Sequence, residues 1–281
     1  MAVKFLGQFL LERGLITPQQ LLAATEAQRA SNPLLGELAV RQGLLTEAQA
    51  RRINERQRAE DRRFGDIAIE LGLLDAREVE ALLSAQKAGR KLFGQVLVEQ
   101  GVLDAETLEQ ALAEHHAEQQ AGNEELAGAL AGHRLGALAQ EATELCVRLF
   151  PRMLGTQCQP AGLVDDALPT ATWPYTAHVR ISGERSLRVG LSCDRATLQA
   201  LACAFLRMPS EQCDSELAVD ALGEIVNVLM GYVVRNTLPD DADYRATPPD
   251  FSRTAASLVD EGALALQLNS PLGQLLLLVG D

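Results

Sequence analysis

RFGDIAIELGLLDAREVEALLSAQ, residues 63–86, packs two helix patterns into 24 residues, and the plan is written four times in the first 115. Phe64, Ile67, Ala68 and Leu71 lie on one stripe at helical spacing, which predicts a short helix over Phe64 to Leu71. Gly72 follows, the residue that best takes the left-handed conformation needed just past a helix end. Two apolar residues and Asp75, an N-cap type, then open a second helix. Outward from this unit the landmarks recur every 29 residues: Gly7, Gly36, Gly65 and Gly94, then Gly14, Gly43, Gly72 and Gly101. Thr17, Thr46, Asp75 and Asp104 hold the cap, and Gln28, Gln57, Gln86 and His115 close each copy. A fixed period of this length is the mark of an array in which one local structure is repeated.

The cap chemistry repeats with the glycines. Thr17 is followed by Pro18 and Gln20, Thr46 by Gln49 and Asp75 by Glu78, the spacing of capping boxes. Ile16, Leu45, Leu74 and Leu103 precede the caps, and Leu21, Ala50, Val79 and Leu108 sit four positions inside, the spacing of a hydrophobic staple. The expectation is an all-α domain of four helix pairs, each stacked on its neighbours.

These residues resemble the MshEN domain of type II secretion and pilus ATPases through the pattern RLGxxLVxxGxLxxxxLxxxLxxQ. Residues 63–86 match it nearly position for position, and LFGQVLVEQGVLDAETLEQALAEH (92–115) follows after the family's five-residue spacer. The resemblance implies binding of cyclic di-GMP by copies three and four, with copies one and two an extra pair. Carried over by position, the ligand-facing set is Arg63, Gly65, Gly72, Gln86, Leu92, Gly94 and Gly101. The family's opening arginine is present only as Arg63; Phe5, Leu34 and Leu92 hold that place elsewhere. A guanidinium there can stack on a base and pair with phosphate, and a glutamine amide offers a donor and an acceptor to a base edge. The alternative is that the glycines and leucines are caps and core, and the array is a helical docking platform for a protein.

Composition bounds the rest. A chain of 281 residues suffices for two domains, and 47% hydrophobic with 22% charged residues is a globular composition. The net charge of −13 argues against DNA, RNA or an anionic membrane as a partner, since each needs a basic surface. The five cysteines (Cys146, Cys158, Cys193, Cys203, Cys213) form no CxxC pair and read as free thiols in a reducing cytoplasm. They are not spaced with the four histidines as zinc ligands, so no metal site is expected. The start lacks a signal peptide's apolar run, and no stretch near 18 apolar residues predicts a membrane span. A cytoplasmic protein is expected.

The second half changes character. AEQQAGN (117–123) reads as a linker between an array over 1–116 and a second domain over 124–281. Glu124 to Leu149 reads as one long helix stopped by Pro151. Strands follow over 176–182 and 186–193, turned at Gly183-Glu184-Arg185, then helices over Arg195–Leu206 and Ser215–Arg235. A proline- and aspartate-rich loop over 239–250 leads to three short strands near 254–260, 263–268 and 274–279. Strands, helices, then strands predict an α+β domain with an antiparallel sheet and two long helices.

Chemistry concentrates in DSELAVDALGEIVNVLMGYVV. Ala218, Leu222, Ile225, Leu229 and Val233 share one face; Glu216, Asp220, Glu224, Asn227 and Gly231 share the other. Spacing of three sets Glu224 and Asn227 side by side. Asparagine is a poor helix-interior residue, so its presence invites an explanation. Gly223 and Gly231 would leave bare backbone for a partner's approach.

The run DALGEIVNVLMG resembles the ExxN signature helix of the CheC/CheX chemotaxis phosphatases, and RVGLSCDRATLQALACAFL before it fits the CheX pattern. The likeness spans about residues 125–281. It implies that Glu224 pairs with a lysine of a phosphorylated CheY-like receiver and that Asn227 orients the water that attacks the aspartyl phosphate. Mg²⁺ would belong to the receiver, so no cofactor of the chain's own is implied. A single ExxN helix implies a homodimer. The two modules together suggest a signalling protein, with the array sensing cyclic di-GMP and the second domain acting on a receiver. The rival is a non-enzymatic adaptor that docks on a secretion, pilus or motility machine and sequesters a response regulator. A metal-dependent hydrolase is set aside for want of a ligand cluster.

Overall fold

A computed structural model describes residues 4–60, 62–164, 168, 171–183, 185–239 and 241–281. The chain divides into two compact units, one of Phe5–His115 and one containing His116–Asp281.

The first unit is the array. Its helices are α1 (Leu6–Glu12), α2 (Pro18–Ser31), α3 (Leu35–Arg41), α4 (Glu47–Glu60), α5 (Phe64–Glu70), α6 (Ala76–Gly89), α7 (Phe93–Glu99) and α8 (Ala105–Ala131), whose end passes into the second unit. Each short helix ends alike. Gly14, Gly43, Gly72 and Gly101 have φ between 63° and 72°. After α5, Gly72 N–H donates to Ile69 O at 2.9 Å and Leu73 N–H to Ala68 O at 3.0 Å, and the other three copies repeat both bonds. That is the Schellman closure, and a β-carbon in this conformation is strained. The boxes form as spaced: Thr17 N–H donates to Gln20 Oε1 at 2.8 Å, and Asp75 and Glu78 exchange bonds of 2.8 Å.

The pairing of copies departs from the neighbour-on-neighbour expectation. One core joins copies two and three: Ala39, Leu45, Ala50 and Ile53 with Phe64, Ile67, Ala68, Leu74, Val79 and Leu82. A second joins copies one and four: Phe9, Leu10, Ile16 and Ala24 with Val96, Leu97, Leu103 and Ala111. The closing side chains serve this nesting. Gln86 donates to Pro33 O at 2.9 Å, just before copy two opens. Gln28 and Asn32 donate to Lys91 O at 3.3 and 2.9 Å, just before copy four opens.

The second unit contains α9 (Gly136–Met153), β1 (Gln159–Leu163), β2 (Tyr175–Gly183), β3 (Leu187–Cys193), α10 (Arg195–Leu206), α11 (Ser215–Thr237), β4 (Tyr244–Ala246), α12 (Ala255–Asp260), β5 (Leu264–Ser270) and β6 (Gly273–Gly280). The sheet is antiparallel in the order β1-β5-β6-β3-β2-β4, so the α+β expectation holds. Alternation sorts its faces. Val179, Val189, Leu266, Leu277 and their neighbours build the main core with α9, α10 and α11. The opposite face carries a smaller core of Trp173, Ala255, Leu258, Ala263, Ala265, Leu276 and Leu278.

Several local expectations are corrected. Residues 117–123, read as a linker, are helical within α8, because Ala, Glu and Gln favour helix and outweigh Gly122 and Asn123. The single helix from Glu124 to Leu149 is two, broken between Ala131 and Gly136. There a β-carbon at Gly136 would meet Leu130 O at 1.9 Å, so the turn needs that glycine. Pro151 does not stop α9 but lies in its last turn, where the lack of its N–H costs the helix one bond, that to the carbonyl of Val147. The expected strand at 254–260 is α12, opened by Thr254, whose hydroxyl accepts Ser257 N–H at 3.1 Å. Strands β1 and β4 were not expected. Glu184 of the expected turn and Asp240 of the expected loop lie outside the described residues.

Candidate functional site

Helix α11 carries the site on a fixed platform. Asp214 caps it, accepting Glu216 N–H and Leu217 N–H at 3.1 and 2.9 Å. Ala218, Leu222, Ile225, Leu229 and Val233 are each no more than 2% exposed, as the face pattern requires. Burial of each of Leu222, Ile225, Leu229 and Val233 contributes about 1.5–3 kcal/mol, which holds the helix's rotation. Glu216, Asp220, Glu224, Asn227 and Gly231 are all exposed along the opposite stripe. Neither the Glu224 nor the Asn227 side chain has a hydrogen-bond or ion-pair partner among the described residues. Their polar ends face solvent one helical turn apart, a carboxylate that only accepts beside an amide that both donates and accepts. By length and composition α11 could span a membrane, yet ten of its residues are buried in the unit.

The two glycines of this helix differ from their joint expectation. Gly231 is bare: a β-carbon there would meet no atom within 4 Å. Gly223 is covered, since a β-carbon would fall 2.7 Å from Phe251 Cζ and 3.1 Å from Pro249 Cβ. Phe251 itself is 41% exposed. Sequence reading missed it inside a loop, although an aromatic two residues after Pro249 in a polar stretch was a usable signal.

The opposite sheet face holds a buried titratable group. His178 is 6% exposed, and neither ring nitrogen has a hydrogen bond. Its Nε2 stands 3.5 Å from Asp250 Oδ2. Burial pushes its pKa below 6.5, Asp250 opposes that, and Arg188 and Arg253 reinforce it. The five cysteines are free thiols; burial pushes Cys158 and Cys193 up to about 12, so neither is a ready nucleophile. No group of three or more metal-ligating side chains converges among the described residues.

In the array the carried-over positions divide. Arg63, Gly65, Gly72 and Gln86 belong to the copy whose core is shared with copy two; Leu92, Gly94 and Gly101 belong to the copy sharing a core with copy one. Gly65 and Gly94 permit close helix approach: a β-carbon would meet Val79 Cγ1 at 2.6 Å and Leu108 Cδ1 at 2.9 Å. Gly72 and Gly101 are helix terminators with φ of 63° and 67°. Gln86 is a backbone clamp. Arg63 is the exposed N-cap of α5, its side chain has no partner among the described residues, and Leu92 is 58% exposed.

Comparison with known sequences finds one family over this unit. The family described as "Chemotaxis phosphatase CheX" matches residues 175–263, which include all of α11. Residues 175–263 form a CheX-like domain. Solved structures similar to the chain include the chemotaxis protein CheX of Desulfovibrio desulfuricans, at 14% identity and a TM-score of 0.40 over 51% of this chain and 98% of that one. CheX of Vibrio vulnificus gives 14% identity and a TM-score of 0.41 over 51% and 97%. A CheX–CheY–BeF3–Mg complex from Borrelia burgdorferi gives 15% identity and a TM-score of 0.38 over 51% and 98%. No curated protein matches the chain. The family match over residues 175–263 lies outside the repeat array.

Proposed function

We propose that the CheX-like unit hydrolyses the aspartyl phosphate of a CheY-like receiver. The observation that carries this reading is the family match enclosing α11 together with the exposed, unengaged pair Glu224 and Asn227. Glu224 accepts from a lysine beside the phosphorylated aspartate and fixes the helix over the receiver's site. Asn227 hydrogen-bonds a water in line with the phosphorus. The water's oxygen bonds to phosphorus, the bond to the aspartate oxygen breaks, and inorganic phosphate and a free carboxylate leave. Positioning of this kind needs little chemistry from the protein itself, since charge on the phosphoryl group is met by the receiver's own Mg²⁺. Asn227→Ala is expected to abolish phosphate release from acetyl-phosphate-charged CheY while leaving binding within about twofold, because only the transition state uses the amide. Release unchanged from wild type refutes the assignment. The protein would act in the cytoplasm as a homodimer.

The array is proposed as its input, binding cyclic di-GMP. Of the carried-over positions, Arg63 and Leu92 cap helices through their backbones and leave their side chains exposed, which makes them the first candidates for contact. Calorimetry with cyclic di-GMP should show binding that Arg63→Ala weakens about tenfold, the loss of one charged pair or stack. No heat at micromolar protein sinks this part alone.

A further inference from the structure

Gly223 immediately precedes Glu224, and its missing side chain is filled by Phe251 and Pro249. The segment that brings them there is pinned at both ends. Thr247 N–H donates to Arg180 O at 2.9 Å, and Arg180 N–H donates to Thr247 Oγ1 at 3.1 Å. His178 N–H and Asp250 N–H exchange bonds with each other's carbonyls at 3.0 and 2.8 Å. Asp250 also accepts Ser252 N–H at 2.8 Å, and Pro248 and Pro249 fix φ between the two anchors. The strap is therefore set before any partner arrives. It ends on an aromatic side chain 41% open to solvent beside the first residue of the reactive pair.

The polar stripe itself is acidic: Glu216, Asp220 and Glu224 are exposed on it, and the first cation at helical spacing on that face is Arg235. A surface with this charge takes a partner face bearing cations. Carboxylates along one side and a rigid, half-exposed aromatic at the edge are the composition of an interface rim with an apolar anchor.

We propose that Phe251, held by the Thr247–Ser252 strap against Gly223, is the apolar docking contact for the phosphorylated receiver, a positioning residue that sets affinity and not the chemical step. This rests on the reading of Glu224 and Asn227 given above. Its strap is preorganised, so no ordering cost falls on binding.

The test uses the full chain with a CheY receiver domain. Calorimetry against CheY carrying beryllium fluoride and Mg²⁺ reads binding; phosphate release from acetyl-phosphate-charged CheY reads KM and kcat. Phe251→Ala is expected to raise Kd and KM about tenfold, as for an aromatic anchor, with kcat within about twofold. Phe251→Tyr should restore both to near wild type; Phe251→Ala should lower the melting temperature only modestly, since the ring is already 41% exposed, and both assays are run well below the unfolding transition. Asn227→Ala runs in parallel. If Asn227→Ala is inactive while Phe251→Ala keeps KM and Kd at wild-type values, the docking role is wrong and the site reading stands. A Phe251→Ala protein that loses kcat with KM unchanged also overturns the docking role. Wild-type release by Asn227→Ala, or a wild-type protein that does not bind the loaded CheY, overturns both.

Discussion

Gly65→Ala separates two explanations of the repeat glycines. In the structure a β-carbon at residue 65 would stand 2.6 Å from Val79 Cγ1, about 1 Å inside an ordinary carbon contact. Val79 is 8% exposed and sits in the core shared by copies two and three, so it has no free direction of retreat. Overpacking of this kind costs about 2 kcal/mol, and the better helix propensity of alanine returns about 1 kcal/mol. The net expectation for Gly65→Ala is a loss of about 1 kcal/mol. Val79→Ala removes two buried methyl groups and should cost about 2 kcal/mol. Additivity would give about 3 kcal/mol for the double variant. The geometry predicts only about 1 kcal/mol, because the new methyl enters the space that the old ones left, a coupling of about 2 kcal/mol between the sites. Hydrogen exchange on peptides covering α5 and α6 in the full chain reads this unit's opening free energy separately from the second unit. Additive losses, or a Gly65→Ala protein that loses no protection, would refute the close-approach explanation and return Gly65 to the ligand-facing set.

Two further outcomes follow from the fold and its buried histidine. Leu10→Ala and Leu97→Ala remove side chains from one core, so their losses should couple by at least about 0.5 kcal/mol, whereas Leu10→Ala and Ile67→Ala, from different cores, should add; the reverse in exchange-derived stabilities would contradict the nested pairing. His178 has its folded pKa below the unfolded value of 6.5, so its neutral form belongs to the fold. Stability is full above pH 6.5 and falls as pH drops through the folded pKa, with a slope of at most about 1.4 kcal/mol per pH unit. His178→Gln should flatten the melting temperature between pH 7.5 and 5.5 relative to wild type (both pH values about one unit from the free histidine value); identical slopes in the two proteins would show that His178 is not the titrating group.

Local structure was legible in the sequence because each copy carries its own instructions. A glycine at a left-handed terminator, a cap with its reciprocal third residue and an apolar stripe leave few choices for helix ends. The pairing of copies was not legible for the same reason. Leu10, Ala39, Ala68 and Leu97 occupy equivalent positions, so the apolar pattern accepts a neighbour or a nested partner equally; the structure pairs Leu10 with Leu97 and Ala39 with Ala68 in their respective cores. In the second unit the polar stripe of α11 was readable from helical spacing alone. Its covered end was not, since Phe251 reaches Gly223 across 28 residues of sequence. Likewise 254–260 alternates well enough for a strand, and only the Thr254–Ser257 capping bond shows why it is a helix.

The most direct measurement is the decay of phosphoryl-CheY in the presence of this protein at a large molar excess of receiver. Glu224 and Asn227 acting as proposed predict release of the whole phosphorylated pool in many turnovers, abolished by Asn227→Ala. Decay no faster than CheY alone, or protection limited to a stoichiometric complex, would contradict a phosphatase and leave a receiver-sequestering adaptor.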